Sequence, residues 1–533
     1  MSDIFSYDAI VIGGGHNGLT NAAYLAKAGK KVLVLEQRNF VGGAAITEEL
    51  RPGFQFTTFS YALSLLRPEI VQELDLVRHG FMPLLMRSHF APMQNGDYFL
   101  LGPDAGVNRQ EIARHSKADV DGMERFEHDT ARVRNFIRPL FDSIPPNLFS
   151  DDPADAEKMA WLLKHLGTGN KKVIHDTVRL LTGSIADFCD DYFESDIIKA
   201  TICSAACVGI KLGPMSPGSG LNWLFLSMGE HDGIGGSWSF HKGGNGGFTQ
   251  VLARAATAYG AEIRLDSHVD HLITEKGEVK GVALRDGTEF RAPTVVSSLD
   301  PRRTFLEIAD PRELPADLVE TIQRFRFQGV ASKVNFALDG IPEYPALSGR
   351  TDQYLGFINI APTVEYMERA YDAAKYGGYS EHPYIDACIQ SLVDPDMAPP
   401  GKHVMSCFVM YTPYELKGTT WQAERENMAD RVQATLQSFF PNFNDLVLQR
   451  EVVTPDIIEA KTGLSEGNIY AGEFFAHQMY FFRPAPGYSD YRTPIRGYYQ
   501  CGSGTHPGGC VIGAPGRLAS QQVLKDLGGT KAK

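Results

Sequence analysis

An α/β protein built on a Rossmann-type nucleotide-binding domain is predicted by three stretches of the sequence. The first is a strand, glycine turn, helix, strand and acid unit over residues 7–36. The second is a glycine-rich helix start followed by short strands over residues 243–298. The third is a glycine-rich loop that opens a terminal helix, over residues 497–527. The chain has 533 residues, more than one core usually serves, so division into domains is expected.

Residues 7–12 form an apolar run with little alternation, as in a buried parallel strand. Gly13-Gly14-Gly15-His16-Asn17-Gly18 follows and contains G-x-G-x-x-G. A helical pattern over residues 19–28 stops at Gly29, and a second strand over 31–35 ends in Glu36. Each part has a physical task. Gly13 permits the tight turn, Gly15 lets the backbone approach a pyrophosphate, and Gly18 lets the helix lie close to the strand. The helix N-terminus offers free N–H groups to phosphates, with His16 and Asn17 as polar residues in its first turn, and Glu36 stands where a carboxylate accepts from ribose hydroxyls.

Further features select FAD over NAD. Gly42-Gly43 gives a second close backbone approach to a longer cofactor. The glycines 243–247 precede a helical stretch over 248–259, and strand-like segments follow at 262–265, 268–273, 279–284, 289–292 and 294–296. This order is similar to the β-meander that FAD-type domains insert, and Val269, at its start, joins the cofactor-binding candidates. The C-terminal run places Gly502, Gly504, Thr505, His506, Pro507, Val511 and Ile512 between a short strand and a helix. A helix start there faces the flavin end, where backbone amides stabilise charge on the reduced ring.

The motifs Gly42-Gly43-Ala44-Ala45-Ile46-Thr47-Glu48-Glu49, Pro52-Gly53-Phe54, Ser64-Leu65-Leu66-Arg67-Pro68, Lys242-Gly243-Gly244, Gly467-Asn468-Ile469, Arg483-Pro484 and Cys501-Gly502-Ser503-Gly504-Thr505-His506-Pro507-Gly508-Gly509 extend over nearly the whole chain. On these, the sequence resembles the phytoene desaturase-like branch of the flavin amine oxidase superfamily, and within it the pyridine nucleotide-disulfide oxidoreductase domain-containing group. The resemblance implies FAD, a two-domain fold and redox chemistry on apolar or conjugated substrates. The glycine constellation with Glu36, and the absence of a Cys or His in a flavin-attachment pattern, predict that the FAD is held without a covalent link, with Cys501, Cys510 and His506 near enough to check. The resemblance also implies that the block around Thr505–Pro507 lies at the flavin ring, with His506 as the candidate acid or base or as a residue that orients the loop. Ala44 stands where many amine oxidase relatives carry arginine, so that pyrophosphate contact does not transfer. No redox Cys-x-x-Cys or Cys-x-x-x-x-Cys pair and no second nucleotide fingerprint in the right context support disulfide reduction.

The fold class expected is therefore α/β, a Rossmann-type FAD-binding domain with a β-meander plus a mixed-sheet α+β substrate domain. Residues 1–70, 235–305 and 455–533 are assigned to the first, and 71–234 and 306–454 to the second. In the second, 117–141 reads as a helix with Phe126, Val133, Phe136, Ile137 and Leu140 on one face. Residues 197–210 read as a buried helix, in which Cys203 and Cys207 share a face as packing residues, and 332–338 and 403–411 read as strands. Leu221-Asn222-Trp223-Leu224-Phe225-Leu226 reads as core, with pocket lining or peripheral membrane contact as the alternatives. Tyr480, Phe481 and Phe482 read as a pocket wall or a core strand.

Composition narrows the function classes. The net charge of −13 argues against a nucleic-acid partner, and 43% apolar with 22% charged residues is ordinary for a globular protein. The early first strand leaves no space for a signal peptide, the polar tail 528–533 argues against an anchor, and seven scattered cysteines suit a reduced, cytoplasmic setting. The reaction expected is hydride transfer from an apolar small molecule to FAD, of dehydrogenase, oxidase, desaturase or isomerase type. Oxygen, a quinone or an internal redox-neutral cycle serves the flavin rather than NAD(P)H. The alternative is an FAD-bound regulatory or interaction protein with little turnover. No metal site is expected, and the oligomeric state is open.

Overall fold

The computed structural model describes residues 5–63, 65–231 and 233–528. Ser64 of the family motif and the tail 529–533, on which the reading against an anchor rests, lie outside the described residues.

Apolar runs at the start of the chain make a sheet covered on both faces. Ala9–Ile12 and Val32–Leu35 are buried at every position. They pair in parallel with each other, and Glu262–Arg264, Val295–Ser297 and Tyr498–Gln500 complete a five-stranded parallel sheet. One face, with Val11 and Val34, packs under the helices His16–Lys27, Gly244–Ala258 and Ala514–Gly528. The small side chains Ala22, Ala23 and Ala26 keep the first of these helices close. The other face, with Ile10 and Leu33, is covered by the antiparallel meander Val269–Glu275, Glu278–Leu284 and Glu289–Arg291.

A second, seven-stranded mixed sheet runs in the order Val447–Val453, Ala331–Leu338, His403–Met410, Tyr384–Cys388, Phe357–Ile360, His89–Pro92 and Tyr98–Leu101. Alternation along Ala331–Leu338 decides its two faces. Val334, Phe336 and Leu338 meet Met428, Val432 and Leu436 of the helix Trp421–Phe439, whereas Lys333 and Asn335 fall on the opposite face.

A helical lobe completes the molecule. The helix Ala118–Phe141 buries Phe126, Val133 and Ile137, while Phe136 and Leu140 are half-buried. Cys203 and Cys207 are enclosed in the helix Asp196–Cys207. The segment read for membrane contact is the helix Ser219–Leu226, and all of its residues are buried. The membrane reading of that segment is therefore corrected: its apolar side chains are already satisfied by Phe126, Phe141 and Phe474. Among the described residues no helix is long and apolar enough to cross a membrane.

Candidate functional site: a dinucleotide cradle joined to an apolar chamber

Close packing fixes the first glycine turn. Gly13 sits at φ +94°, and a Cβ there would meet Ser298 Oγ at 2.5 Å. A Cβ on Gly18 would lie 2.2 Å from the Gly13 carbonyl oxygen. Gly15 precedes the helix, whose start carries no side-chain cap, so its first amides stay open. Gly42 acts behind this turn, donating its N–H to Gly14 O at 2.9 Å, and Gly43, at φ +61°, comes close enough to Gly15 that a Cβ would lie 3.2 Å from its Cα. Glu36 ends the second strand, and its carboxylate accepts from the Gly14 N–H at 2.8 Å and the Arg38 N–H at 3.0 Å.

These elements wall one end of a continuous cavity. Gly13, Gly15, His16, Asn17, Gly18, Glu36, Arg38, Gly43, Val269, Arg303 and Val511 line it. Arg38 also donates to Gly43 O at 2.7 Å, so a guanidinium is fixed beside the second glycine pair. Asn17 donates to Ser503 Oγ at 3.1 Å, which ties the first helix to the C-terminal loop. Asn17 Oδ1 and His16 Nε2 are buried with no hydrogen-bond partner in the protein. Burial also lowers His16 to a pKa of about 4, so the ring is neutral.

The C-terminal loop is arranged differently from the sequence expectation. Ser503, Cys510 and Val511 reach the cavity, whereas Gly502, Gly504, Thr505, His506, Pro507 and Ile512 do not. Gly502 and Gly504 serve packing: a Cβ would lie 2.4 Å from Leu299 O in the first case and 2.2 Å from Pro301 in the second. Ile512 is core, and its amide donates to Cys510 O at 3.0 Å instead of standing free. His506 points away from the cavity. Its Nε2 donates to Leu140 O at 3.1 Å, its ring lies between Phe141 and Tyr480, and burial lowers its pKa to about 3. The expectation of a near-neutral histidine facing the ring is thus corrected, because the loop turns this side chain onto the end of the helix Ala118–Phe141. Tyr480, Phe481 and Phe482 form a short 3-10 turn that does not line the cavity, so neither sequence reading of them holds.

The second glycine-rich helix start also stands apart. Gly243, ahead of the helix Gly244–Ala258, donates its N–H to Asp394 Oδ2 at 2.6 Å, and Thr47 Oγ1 accepts from Gly246 N at 3.1 Å. The protein's own acid occupies the place a phosphate would take. The strand before it, Ser239–His241, pairs antiparallel with Pro83–Leu85 in a two-stranded ribbon outside the parallel sheet.

Beyond the cradle the cavity continues as an apolar chamber. Tyr61, Val208, Leu226, Trp238, Phe408, Ile469 and Tyr470 line this part; among the described residues the carboxylates of the whole cavity wall are Glu36 and Asp300. Sequence reasoning missed Tyr61, Trp238 and Phe408, which come from three distant segments and carry no local motif. Of the segment 221–226, only Leu226 reaches the cavity.

A tight turn at Gly13 and Gly18 with no room for a Cβ, uncapped helix amides, the Glu36 carboxylate at the end of the second strand, fixed guanidiniums and unpartnered buried polar atoms fit a long dinucleotide. Continuity with a second chamber places a reacting molecule beside its far end. Together they define an FAD-dependent oxidoreductase.

The chain belongs to the flavin-containing amine oxidoreductase family, which matches residues 18–524, and FAD is its cofactor. It is 38% identical over 545 residues to rat pyridine nucleotide-disulfide oxidoreductase domain-containing protein 2, covering 98% of this chain and 94% of that protein. It is 26% identical to a limonene dehydrogenase subunit of Castellaniella defragrans, covering 99% and 96%. Among solved structures, a putrescine oxidase triple mutant superimposes with a TM-score of 0.61 at 15% identity over 98% and 99% of the two chains, a likeness of fold. All seven cysteines of the present chain are free thiols.

Proposed function

We propose that this protein oxidises a neutral, apolar small molecule by hydride transfer to non-covalently bound FAD. In this reading Gly13, Gly15, Gly18 and Gly43 cradle the pyrophosphate, Glu36 holds the ribose, and Val269 flanks the adenine end. Asn17, Ser503 and Val511 stand toward the flavin. When bound, FAD supplies the two-electron chemistry, and the protein orients the substrate and excludes water.

The observation that carries the reading is the chamber itself. Tyr61, Trp238, Phe408, Leu226 and Val208 offer rings and alkyl groups, and the two carboxylates that line the cavity, Glu36 and Asp300, are engaged by backbone N–H groups of Gly14, Arg38, Arg303 and Ser465. The 26% identical limonene dehydrogenase subunit, named for a hydrocarbon, adds support. The acceptor proposed is oxygen or a quinone, because the second glycine-rich helix start, occupied by Asp394, offers no seat for NAD(P)H.

Anaerobic mixing of the FAD-loaded protein with limonene, neutral alcohols and putrescine tests this. Bleaching of the flavin by neutral apolar donors and not by putrescine is the expected result. Faster bleaching by putrescine, or by NADPH, overturns the reading.

A further inference from the structure

Oxidation by hydride loss leaves a proton to be removed, and the groups that could take it are those that titrate at the cavity wall. The titratable side chains that line the chamber or its border with the C-terminal loop, among the described residues, are Tyr61, Tyr470, Cys510 and His16, and burial lowers His16 to about 4, so that ring holds a proton poorly. Tyr470 is a dead end, since its hydroxyl donates to Val208 O at 2.8 Å. The Cys510 thiol stays protonated, pushed up to about 12 by burial. Tyr61 differs. Its hydroxyl donates to Asp386 Oδ2 at 2.8 Å, an enclosed carboxylate on the strand Tyr384–Cys388.

The surroundings hold this pair in place. Gln390 Nε2 donates to Tyr61 O at 2.9 Å, and Asn359 Nδ2 donates to Asp386 Oδ1 at 3.0 Å. Lys333 Nζ lies 4.2 Å over the Tyr61 ring and donates to Ser406 Oγ, which in turn donates to Asn335 Oδ1 at 2.7 Å. A buried ammonium and a buried carboxylate thus flank one cavity-lining phenol. An uncompensated charge of either kind would be costly in this setting.

We propose that Tyr61 is a catalytic proton-transfer residue and that Asp386 is the internal acceptor to which its phenol relays. The proposal rests on the oxidoreductase reading above. With FAD bound to supply the two-electron oxidation, the substrate would lose two hydrogens, one as hydride to the flavin and one as a proton to Tyr61 Oη. The original Tyr61 O–H bond breaks as its proton moves to Asp386 Oδ2. The phenol is regenerated and the carboxylate becomes a carboxylic acid, which returns the proton through Tyr61 to the chamber once product has left.

Titration follows from the same surroundings. Burial raises Asp386 to about 7, against the Tyr61 hydrogen bond, Lys333 and Asn359, which lower it. Burial lowers Lys333 to about 8, against the nearby Asp386 and Glu451. The neighbours Tyr384, Cys388 and Cys407 are kept neutral by burial, as is His89, which bonds to Asn359 and is lowered to about 4. The relay therefore needs pH above about 7 to empty Asp386, and loses its ammonium above about 8.

Two readouts test the proposal on the FAD-loaded protein. The first needs no substrate: infrared titration of carboxylic-acid carbonyl bands from acid to alkaline pH. A band disappearing near pH 7, absent in Asp386→Asn and moved to higher pH in Tyr61→Phe, is expected. No such band, or one that Tyr61→Phe leaves in place, overturns the relay. The second is anaerobic single-turnover bleaching by limonene or whichever neutral alcohol bleaches fastest. Tyr61→Phe and Asp386→Asn should slow bleaching by roughly 100-fold or more at unchanged FAD content, and the rise near pH 7 should vanish in Asp386→Asn. Bleaching by Tyr61→Phe at the parent rate also overturns the relay. If no neutral donor bleaches the parent protein, the oxidoreductase reading fails, and the infrared result still decides whether the proton pair exists.

Discussion

Two glycine-rich helix starts in this chain look alike and do opposite things. At Gly13–Gly18 the helix begins with no side-chain cap and opens into the cavity. At Gly243–Gly247 the Gly243 N–H is taken by Asp394 and the Gly246 N–H by Thr47. Both starts carry the partial positive charge of a helix N-terminus. Both have a carboxylate nearby, and what separates them is which N–H groups are taken. Glu36 takes the Gly14 N–H ahead of the first helix and leaves that helix's first amides open to the cavity, whereas Asp394 takes the N–H of Gly243 and Thr47 that of Gly246 inside the first turn.

The strongest way to break this comparison is Gly18→Ala. Its Cβ would lie 2.2 Å from a carbonyl oxygen that the turn cannot move, so loss of FAD and a stability cost of about 3 kcal/mol are expected. Flavin absorbance per chain and thermal unfolding check this, and full FAD content with an unchanged midpoint would contradict it. Glu36→Gln comes next. It keeps the shape but weakens the charge-assisted bond to Gly14 N and the one proposed to the ribose, so FAD affinity should fall by about 10–100-fold in a binding titration.

Legibility followed the same divide between local and distant. The turn Gly13–Gly18, the strand ending in Glu36 and the meander strands were readable because their constraints lie within a few dozen residues. Tyr61 and Asp386 were not, since 325 residues separate the two ends of their hydrogen bond. The loop at Thr505–Pro507 shows a third case. Its glycines announced a tight turn correctly, but nothing local says which side chains the turn sends to the cavity. His506 went toward Leu140 O and Cys510 toward the pocket.

The third helix start, at Ala514, sharpens the comparison through His506. Removing this buried ring in His506→Ala should cost about 2 kcal/mol while FAD content stays intact. The sign of its pH dependence follows from its lowered pKa. The unfolded chain binds a proton below about 6.5 that the folded protein refuses until about 3, so this ring makes stability fall as pH drops through that interval. In His506→Ala the acid limb of the stability curve should flatten by about 1.4 kcal/mol per pH unit between roughly pH 4 and 6. Denaturant unfolding across pH measures it, and an unchanged slope would contradict the buried, neutral placement.

The smallest effect is expected at the plugged start. Asp394→Ala removes the anion on Gly243 N and one partner of Lys242, which keeps its contact to Asp396, so the cost should be about 1 kcal/mol. FAD affinity should stay within about twofold, because the lost interaction is worth little at the other helix start. A large loss of FAD here, measured in the same titration, would mean the two starts do not act independently.

The central claim is that the uncapped start at Gly13–Gly18 holds one FAD without a covalent bond. Denaturing the purified protein and filtering it tests this most directly. The account predicts about one FAD per chain, all of it in the filtrate and absent from Gly18→Ala. Colour retained on the denatured chain, a colourless native protein, or a Gly18→Ala variant with full flavin would contradict it.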